Sequence, residues 1–225
     1  MNTRIRYNNK LTVRKDRLAF GLSAGVDSVA ALYFLTRYHK NILVFHFNHK
    51  LRPQNELMEF QARCLAADLG LNIIVSSAEE FPLNSSTSEE AAARDARIQA
   101  MSKHLEGKDV ILCHHLGDAI ESYLARCFDG TICDDAFRTI PPVTSFGSFQ
   151  VVRPFLQTLK GDLRNYCESQ HLMSYVVEDE TNRDVRFRRN FLRHQVVPLV
   201  KEQWVGLEKV VTKHVVEDYK NATPL

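Results

Sequence analysis

A run of small residues that ends in an acid and a serine is the segment of this chain best suited to chemistry. Residues 20–28 read Phe-Gly-Leu-Ser-Ala-Gly-Val-Asp-Ser. An apolar run precedes the small residues and a helical pattern follows them, so we expect a strand, a tight loop and a helix. Small residues let the backbone close around a ligand, and a helix N-terminus favours an anion. The segment therefore predicts a polyphosphate site, although a Ser/Asp helix cap fits the same residues.

The chain that must position this loop alternates between β-rich and helical patterns. The capping-box pair Thr87 and Glu90 is predicted to open an alanine-rich helix that ends near residue 105. The other predicted elements are strands at 18–22, 42–47, 71–75 and 110–113, and helices at 27–38, 55–69 and about 118–128. This alternation predicts an α/β fold in which a doubly wound parallel sheet is covered by helices on both faces.

The pattern changes after residue 131. Residues 131–149 show no regular period and are predicted to be loop, and residues 149–152 are predicted to form one more strand. The rest is predicted to be mainly helical, with helices at 191–200 and 207–216. We therefore expect an α/β domain over residues 1–155 and a small helical appendage over residues 156–225.

Composition places the chain among ordinary globular proteins. Its 225 residues are 44% hydrophobic and 25% charged, with a net charge of only +2. No run of eighteen apolar residues predicts a membrane span, and the polar, basic N-terminus lacks a signal core, so we expect a cytoplasmic protein. The five cysteines include no C-x-x-C pair, which argues against a disulfide framework, a zinc ribbon or an iron–sulfur cluster.

Basic residues are concentrated in two stretches rather than spread evenly. The first lies within residues 4–17, and the second contains Arg183, Arg186, Arg188, Arg189 and Arg193. Such clusters can neutralise nucleic-acid phosphates. A solvated face with a few ion pairs is the alternative reading.

The loop resembles a known signature. The run Ser23-Ala24-Gly25-Val26-Asp27-Ser28 resembles the Ser-Gly-Gly-x-Asp-Ser signature of the PP-loop ATP pyrophosphatases, whereas the Walker and Rossmann glycine patterns are absent. The resemblance implies that ATP is cleaved to AMP and pyrophosphate. Ala24 stands where the family has glycine, so a negative φ would tolerate its methyl group and a positive φ would make it harmful.

Five further segments, spread over roughly residues 18–200, resemble one branch of that class, the tRNA isoleucine lysidine synthetases. They occur in the family's order and comprise His46–Pro53, Glu90–Arg97, His114–Ser122, Arg153-Pro154, and Glu178–Asp184 with Arg189-Asn190 and Arg193-His194. Two positions depart from the family pattern, because Lys50 replaces a glycine and Gly117 replaces an aspartate.

The resemblance implies a reaction and a set of roles. The wobble cytidine of an isoleucine tRNA is adenylated at its C2 oxygen, and free lysine then displaces AMP. The implied catalytic residues are Asp27, Arg94, Arg97, Asp118 and Glu121, and residues 23–28 with His46 and Asn48 are implied to bind ATP. Asp27 and Asp118 are the expected Mg²⁺ ligands. The implied tRNA contacts are Arg153, Arg186, Arg189, Asn190 and Arg193.

Plainer readings of these residues stay open. Asp118 and Glu121 could simply stabilise a helix N-terminus electrostatically. Arg94 and Arg97 could be paired with Asp95 and Glu90. The adjacent histidines, 114 and 115, are expected to end a strand rather than bind metal.

The competing functions are a tRNA thiolase, a GMP- or NAD-synthetase-like amidation enzyme, and a non-catalytic tRNA- or protein-binding module. The lack of a cysteine pair counts against the thiolase, and the absence of downstream likeness counts against the amidation enzyme. Ala24 and Gly117 motivate the binding module. The sequence leaves the oligomeric state open, a homodimer included.

Overall fold

Six strands form one mostly parallel sheet in the order β3-β2-β1-β4-β6-β5. The computed structural model describes residues 4–11, 15–82, 89–131 and 138–222. The strands are β1 (Leu18–Gly21), β2 (Leu43–Asn48), β3 (Ile73–Ser77), β4 (Asp109–Ile111), β5 (Val143–Ser145) and β6 (Gln150–Val152). The order reverses direction between β1 and β4, which makes their carboxyl ends the switch point of a doubly wound sheet.

Helices cover both faces of the sheet, as the alternating pattern predicts. The helices are α1 (Val26–Thr36), α2 (Gln54–Asp68), α3 (Glu89–His104), α4 (Leu116–Phe128), α5 (Lys160–Ser169), α6 (Arg188–Phe191), α7 (Val197–Gln203) and α8 (Leu207–Asn221). Leu18 and Phe20 of β1 pack in one apolar cluster with α1, α2 and α5, whereas Ala19 packs with α3 in a second cluster. This alternation follows from the two-residue period of a strand.

The prediction of loop over residues 131–149 is wrong at one point. Val143–Ser145 forms β5, an antiparallel edge strand that pairs with β6. Gly147, with φ of 76°, lies in the tight connection between them. A three-residue strand is too short for a period to emerge from the sequence, so only its partner at 150–152 was predicted.

The C-terminal helices pack directly on the sheet domain. Leu163 and Cys167 of α5 join the cluster of α1, and Val211 and Val215 of α8 join a cluster with α4. The predicted helices at 191–200 and 207–216 are confirmed, with longer bounds. The division of the chain at residue 155 remains a prediction.

A π-helical turn, Leu192–Val196, joins α6 to α7. Val197 donates its N–H to the Leu192 carbonyl, five residues back. Pro198 follows, and it has no N–H of its own and crowds the carbonyl four residues before it. The wider turn is the local solution that keeps the helix continuous through this proline.

Thr87 of the expected capping box lies outside the described residues, as does Cys133, one of the five cysteines. Within the described ranges, no helix is long and apolar enough to cross a membrane.

Candidate active site

The segments that follow β1 and β4 meet at the switch point and line a cavity of about 480 Å³. Ser23, Gly25 and Asp27 come from the loop and helix after β1, and His115 and Asp118 come from the corresponding segment after β4. Because parallel strands bring their carboxyl ends to one edge, residues about 90 positions apart become neighbours. The sheet therefore places an anion-binding loop opposite an acidic helix start.

The phosphate loop, residues 22–28, is held by its own serines. The Ser23 and Ser28 hydroxyl oxygens lie 3.0 Å apart, and the Ser28 hydroxyl donates to the Gly25 carbonyl at 2.9 Å. Ala24 is fully buried and has φ of 58°, so it keeps the left-handed conformation that its family glycine would adopt freely. The Ala24 carbonyl accepts from the Val177 N–H at 2.9 Å, which fixes the strained residue.

We predict that Ala24→Gly stabilises the protein by about 1 kcal/mol, because a side chain in the left-handed region costs on the order of 1–2 kcal/mol and glycine loses more entropy on folding. Guanidinium unfolding measures the change. Ala92→Gly, at a buried position inside α3, is the control and should destabilise. A destabilised Ala24→Gly protein would show that the loop is not strained.

Asp27 has a part-buried carboxylate, one oxygen of which has no hydrogen-bond partner among the described residues. Its Oδ2 lies 3.6 Å from Nε2 of His115, whereas its Oδ1 is buried and has no hydrogen-bond partner in the described chain. Burial raises the pKa of Asp27 above its usual range, and the nearby His115 and Lys160 oppose that rise. Lys160 begins α5, and its proximity to Asp27 was not predicted, since only the sheet order brings them together.

The buried carboxylates of Asp118 and Glu121 form an ionic quartet with the partly exposed Arg189 and Arg193. Arg193 donates to Glu121 at 2.6 Å and to Asp118 at 3.0 Å, and Arg189 donates to both acids as well. Burial alone would raise the pKa of Asp118, but the charges of His115 and Arg189 bring it well below its usual range. Asp118 thus stays ionised inside the site, and the quartet brings two carboxylates against two guanidinium groups.

Arg94 and Arg97, unlike Arg189 and Arg193, are cations without a carboxylate partner among the described residues. Within the described residues, no carboxylate pairs with either of them, and Arg97 lines every one of the three cavities at this edge of the sheet. Burial, Arg94 and Arg189 together lower the pKa of Arg97. A part-buried guanidinium group such as that of Arg97, with the exposed Arg94 beside it, is suited to bind an anion, such as a phosphate.

A second cavity of about 270 Å³ adjoins the phosphate loop and is lined mainly by apolar side chains, among them Phe45, Met58 and Met101. His46 also lines it, and its Nδ1 donates to the Leu22 carbonyl at 2.8 Å. That bond leaves Nε2 as an acceptor, which is buried and unpartnered in the described chain. Burial lowers the pKa of His46, so the ring is neutral at pH 7.

A third cavity of about 570 Å³ lies beyond Arg97 and is lined by both arginine and apolar side chains. Arg153 in its wall donates to the Pro141 carbonyl at 2.6 Å and to Thr144 at 2.8 Å. Burial and the charges of Arg94 and Arg97 lower the pKa of Arg153 to about 10.

Several predicted site residues occupy other positions. Arg153, a predicted tRNA contact, is 6% exposed and lies in the wall of the third cavity rather than on the surface. Asn190 is buried and donates to the Thr181 and Asp184 carbonyls. Asn48 bonds to Glu59 and the Lys50 N–H and does not line the three cavities. Val26 packs into the core of the α1 side of the sheet.

The predicted arginine stripe is only partly correct. Arg189 and Arg193 share a helical face, but both turn inward to the quartet rather than outward to solvent. Arg186 precedes α6 and is exposed, paired with Asp184.

The expectation that Asp118 binds Mg²⁺ does not fit the structure, because the carboxylate oxygens of Asp118 accept hydrogen bonds from the two arginines and from the His115 N–H. His115 also lines the first cavity and caps α4, which the sequence did not predict, although its three-residue spacing to Asp118 is that of a helix cap.

Comparison with known proteins agrees with this geometry. The matching family model, described as a PP-loop domain, covers residues 1–200. The tRNA(Ile)-lysidine synthase of Legionella pneumophila (strain Lens) is 34% identical over 197 residues, which are 85% of this chain and 44% of that protein. The tRNA(Ile)-lysidine synthase of Bacillus subtilis (strain 168) is 32% identical over 89% of this chain and 44% of that protein. The chain spans less than half the length of these relatives.

The fold has solved counterparts as well. A U34-tRNA thiolase of Methanococcus maripaludis, solved with its 4Fe-4S cluster, superposes with a TM-score of 0.69 and 11% identity over 96% of this chain and 78% of that one. At that identity the likeness shows the fold alone. The loop after β1, the switch point beside it and the match over residues 1–200 together show that the chain belongs to the PP-loop domain family.

Proposed function

We propose that this chain is an ATP-dependent ligase that adenylates the wobble cytidine of an isoleucine tRNA and joins free lysine to that base, releasing AMP and pyrophosphate. One observation carries the proposal: the phosphate loop, the ionic quartet and an arginine-lined cavity adjoin around Arg97, which lines all three cavities. The curated relatives at 34% and 32% identity, both named tRNA(Ile)-lysidine synthase, support it.

ATP is assigned to the two cavities on the β1 side. The apolar cavity suits adenine, and the bare Nε2 of His46 can accept a hydrogen bond from an amino or hydroxyl group there. The phosphates then lie over residues 23–28, where the N-terminus of α1 and the serine hydroxyls favour an anion. Arg97 stabilises the charge that develops as the cytidine oxygen bonds to the α-phosphorus and pyrophosphate departs.

Lysine is assigned to the quartet. Free lysine carries two ammonium groups and one carboxylate, and the quartet offers two carboxylates and two guanidinium groups for them. Glu121 holds the attacking amine and takes its proton as the amine bonds to C2 and AMP leaves. The two ammonium groups can pair with the two carboxylates and the lysine carboxylate with one guanidinium group, which leaves one guanidinium group over.

The cytidine is assigned to the 570 Å³ cavity. Arg94, Arg126 and Arg188 at its wall can contact phosphates that flank the base, while Ile140 and Phe146 offer apolar surface to the ring. The cavity shares Arg97 and Asp118 with the phosphate-loop cavity, so a base in it would border the nucleotide and the quartet.

The residues present also fit a magnesium ion, through Asp27 rather than Asp118. The unpartnered Oδ1 of Asp27 is the kind of oxygen that Mg²⁺ binds together with phosphates and water. When bound, the ion would neutralise charge on the departing pyrophosphate.

A thiolase is the second candidate, since it shares the fold, but the described cysteine in the site is poorly suited to it. Cys113 lines the phosphate-loop cavity, and burial, with the charges of Asp27 and Asp118, raises the pKa of its thiol well above the usual range. Sulfur chemistry needs the thiolate, which this environment disfavours.

Substrate dependence of AMP release tests the proposal. With labelled ATP and Mg²⁺, AMP should form only when isoleucine tRNA and lysine are both present, whereas norleucine, which lacks the terminal amine, should not replace lysine. AMP release that requires a sulfur donor instead would favour the thiolase. ATP or tRNA binding without turnover would favour the non-catalytic module.

A further inference from the structure

The helix α8 is hydrogen-bonded to the chain on both sides of the β5–β6 hairpin. Before β5, the Asp218 carboxylate accepts from the Thr139 N–H at 3.3 Å and from the Thr139 hydroxyl at 2.6 Å. After β6, the Tyr219 hydroxyl donates to the Arg153 carbonyl at 2.9 Å and accepts from the Leu156 N–H at 3.0 Å. Two neighbouring residues of one helix therefore hold the hairpin at both of its ends.

These contacts lie inside the protein. Thr139 is fully buried and Asp218 is also buried, so solvent does not compete for the hydrogen bonds between them. The Tyr219 ring packs against the apolar cluster that α4 and α8 share. A buried carboxylate is costly unless it is hydrogen-bonded, and a buried backbone group that loses its partner costs about 1–3 kcal/mol. The hydrogen bonds from α8 are therefore strong restraints on the hairpin.

The restrained hairpin forms one wall of the third cavity. Ile140, Thr144, Phe146 and Arg153 contribute to this wall, while α3, α4 and the start of α6 supply the others. No described residue of α8 lines the cavity. Asp218 and Tyr219 therefore act on this wall from behind, through the hairpin that they hold.

The Arg153 side chain presents an unused donor on this wall. Its Nη1 is engaged, because it donates to the Pro141 carbonyl and to the Thr144 hydroxyl. Its Nε is buried and has no hydrogen-bond partner among the described residues. Since Arg153 lines the cavity, an acceptor atom of a ligand there, such as the carbonyl oxygen of a cytosine base, can satisfy this N–H. Tyr219 bonds to the carbonyl of the same residue, so α8 sets where the donor lies.

We infer that Asp218 and Tyr219 are positioning residues of the third cavity: they fix its hairpin wall so that Arg153 meets a hydrogen-bond acceptor on the bound base. The helix that carries them lies beyond residues 1–200, which match the family model. The consequence for tRNA rests on the proposed function, whereas the consequence for the rigidity of the hairpin does not.

The first test removes one hydroxyl and measures the hairpin itself. Tyr219→Phe keeps the ring but loses both hydrogen bonds, so the backbone amides of residues 143–156 should exchange with solvent about tenfold faster. The amides of the phosphate loop should be unchanged. Tyr175→Phe is the matched control, because its hydroxyl bonds to Asp68 of α2 and away from this cavity. Unchanged exchange over the hairpin in Tyr219→Phe would overturn the inference.

The second test separates positioning from stability. Well below the melting temperature, Tyr219→Phe should raise the KM and the Kd for isoleucine tRNA about 5- to 10-fold, with the Kd for ATP, measured by calorimetry, unchanged. A merely structural tyrosine would lower the melting temperature and leave the affinity for tRNA as it was, which would contradict the inference. If the unmodified protein binds no isoleucine tRNA, the proposed function fails, and hydrogen exchange alone decides whether α8 holds the hairpin.

Two further variants locate the effect. Asp218→Asn keeps an oxygen that can accept from Thr139 and should retain the affinity for tRNA, whereas Asp218→Ala should lose it. Arg153→Lys keeps the charge but has no Nε–H. If α8 acts through Arg153, adding Tyr219→Phe to Arg153→Lys should weaken tRNA binding little further. Additive losses in that pair, or equal affinities in the two Asp218 variants, would overturn the inference.

Discussion

Arg193→Ala should destabilise the protein by about 3 kcal/mol and remove the proposed ligase activity, because it takes one cation from the quartet and leaves two buried carboxylates to share the other. Guanidinium unfolding measures the stability change. Arg186→Ala is the control, since its exposed pair with Asp184 contributes about 0–1 kcal/mol. If the two variants were equally stable, the quartet would not hold the C-terminal helices to the site.

The same variant has an expected rescue and an expected pH dependence. Adding Glu121→Gln to Arg193→Ala should restore much of the stability but none of the activity, because it removes the uncompensated charge along with the proposed lysine base.

The pKa of Asp118 is lowered in the folded protein, so the contribution of this carboxylate to the free energy of unfolding is present above about pH 4 and is lost as the pH falls. The stability gap between Arg193→Ala and the unmodified protein should therefore narrow in acid.

Asp27→Asn should lower the rate of AMP formation by about a thousandfold while slightly raising the melting temperature. Burial raises the pKa of Asp27, which means that folding disfavours its charge, and a neutral amide removes that cost. The stability gained should increase as the pH rises from about 4 towards the raised pKa and then level off, because in that window the carboxyl of the unfolded chain ionises before the native one.

Asp95→Asn provides the control for that substitution. Asp95 is exposed on α3, so its replacement should change neither rate nor melting temperature. An Asp27→Asn protein that kept its activity would remove Asp27 from the site. One that unfolded at a lower temperature would instead assign Asp27 a structural role.

The sheet and the phosphate loop could be predicted because their signals are local. Each buried strand is an apolar run, and each helix shows the helical period of apolar residues. The order of residue types from Ser23 to Ser28 identifies the phosphate loop. The short edge strand β5 was not predicted, because three residues are too few to show a periodic pattern of their own.

The sequence could not predict which groups the charged side chains would contact, as the arginines show. Arg189 and Arg193 have the spacing of a helical stripe, and the same stripe would suit an RNA backbone or a pair of carboxylates. Their actual partners, Asp118 and Glu121, lie about 70 residues earlier and face them only because α4 and the π-helical turn pack together. The positive φ of Ala24 and the close approach of the His115 ring to Gly117 are likewise properties of the folded chain.

The most direct test of the central claim is the product itself. The protein would be incubated with isoleucine tRNA, ATP, Mg²⁺ and isotopically labelled lysine, and the tRNA would be digested for mass spectrometry of its nucleosides. The proposed function predicts one labelled nucleoside, a cytidine carrying lysine, that is absent without ATP and absent with Asp27→Asn. Unmodified cytidine in a tRNA that the protein demonstrably binds would contradict it.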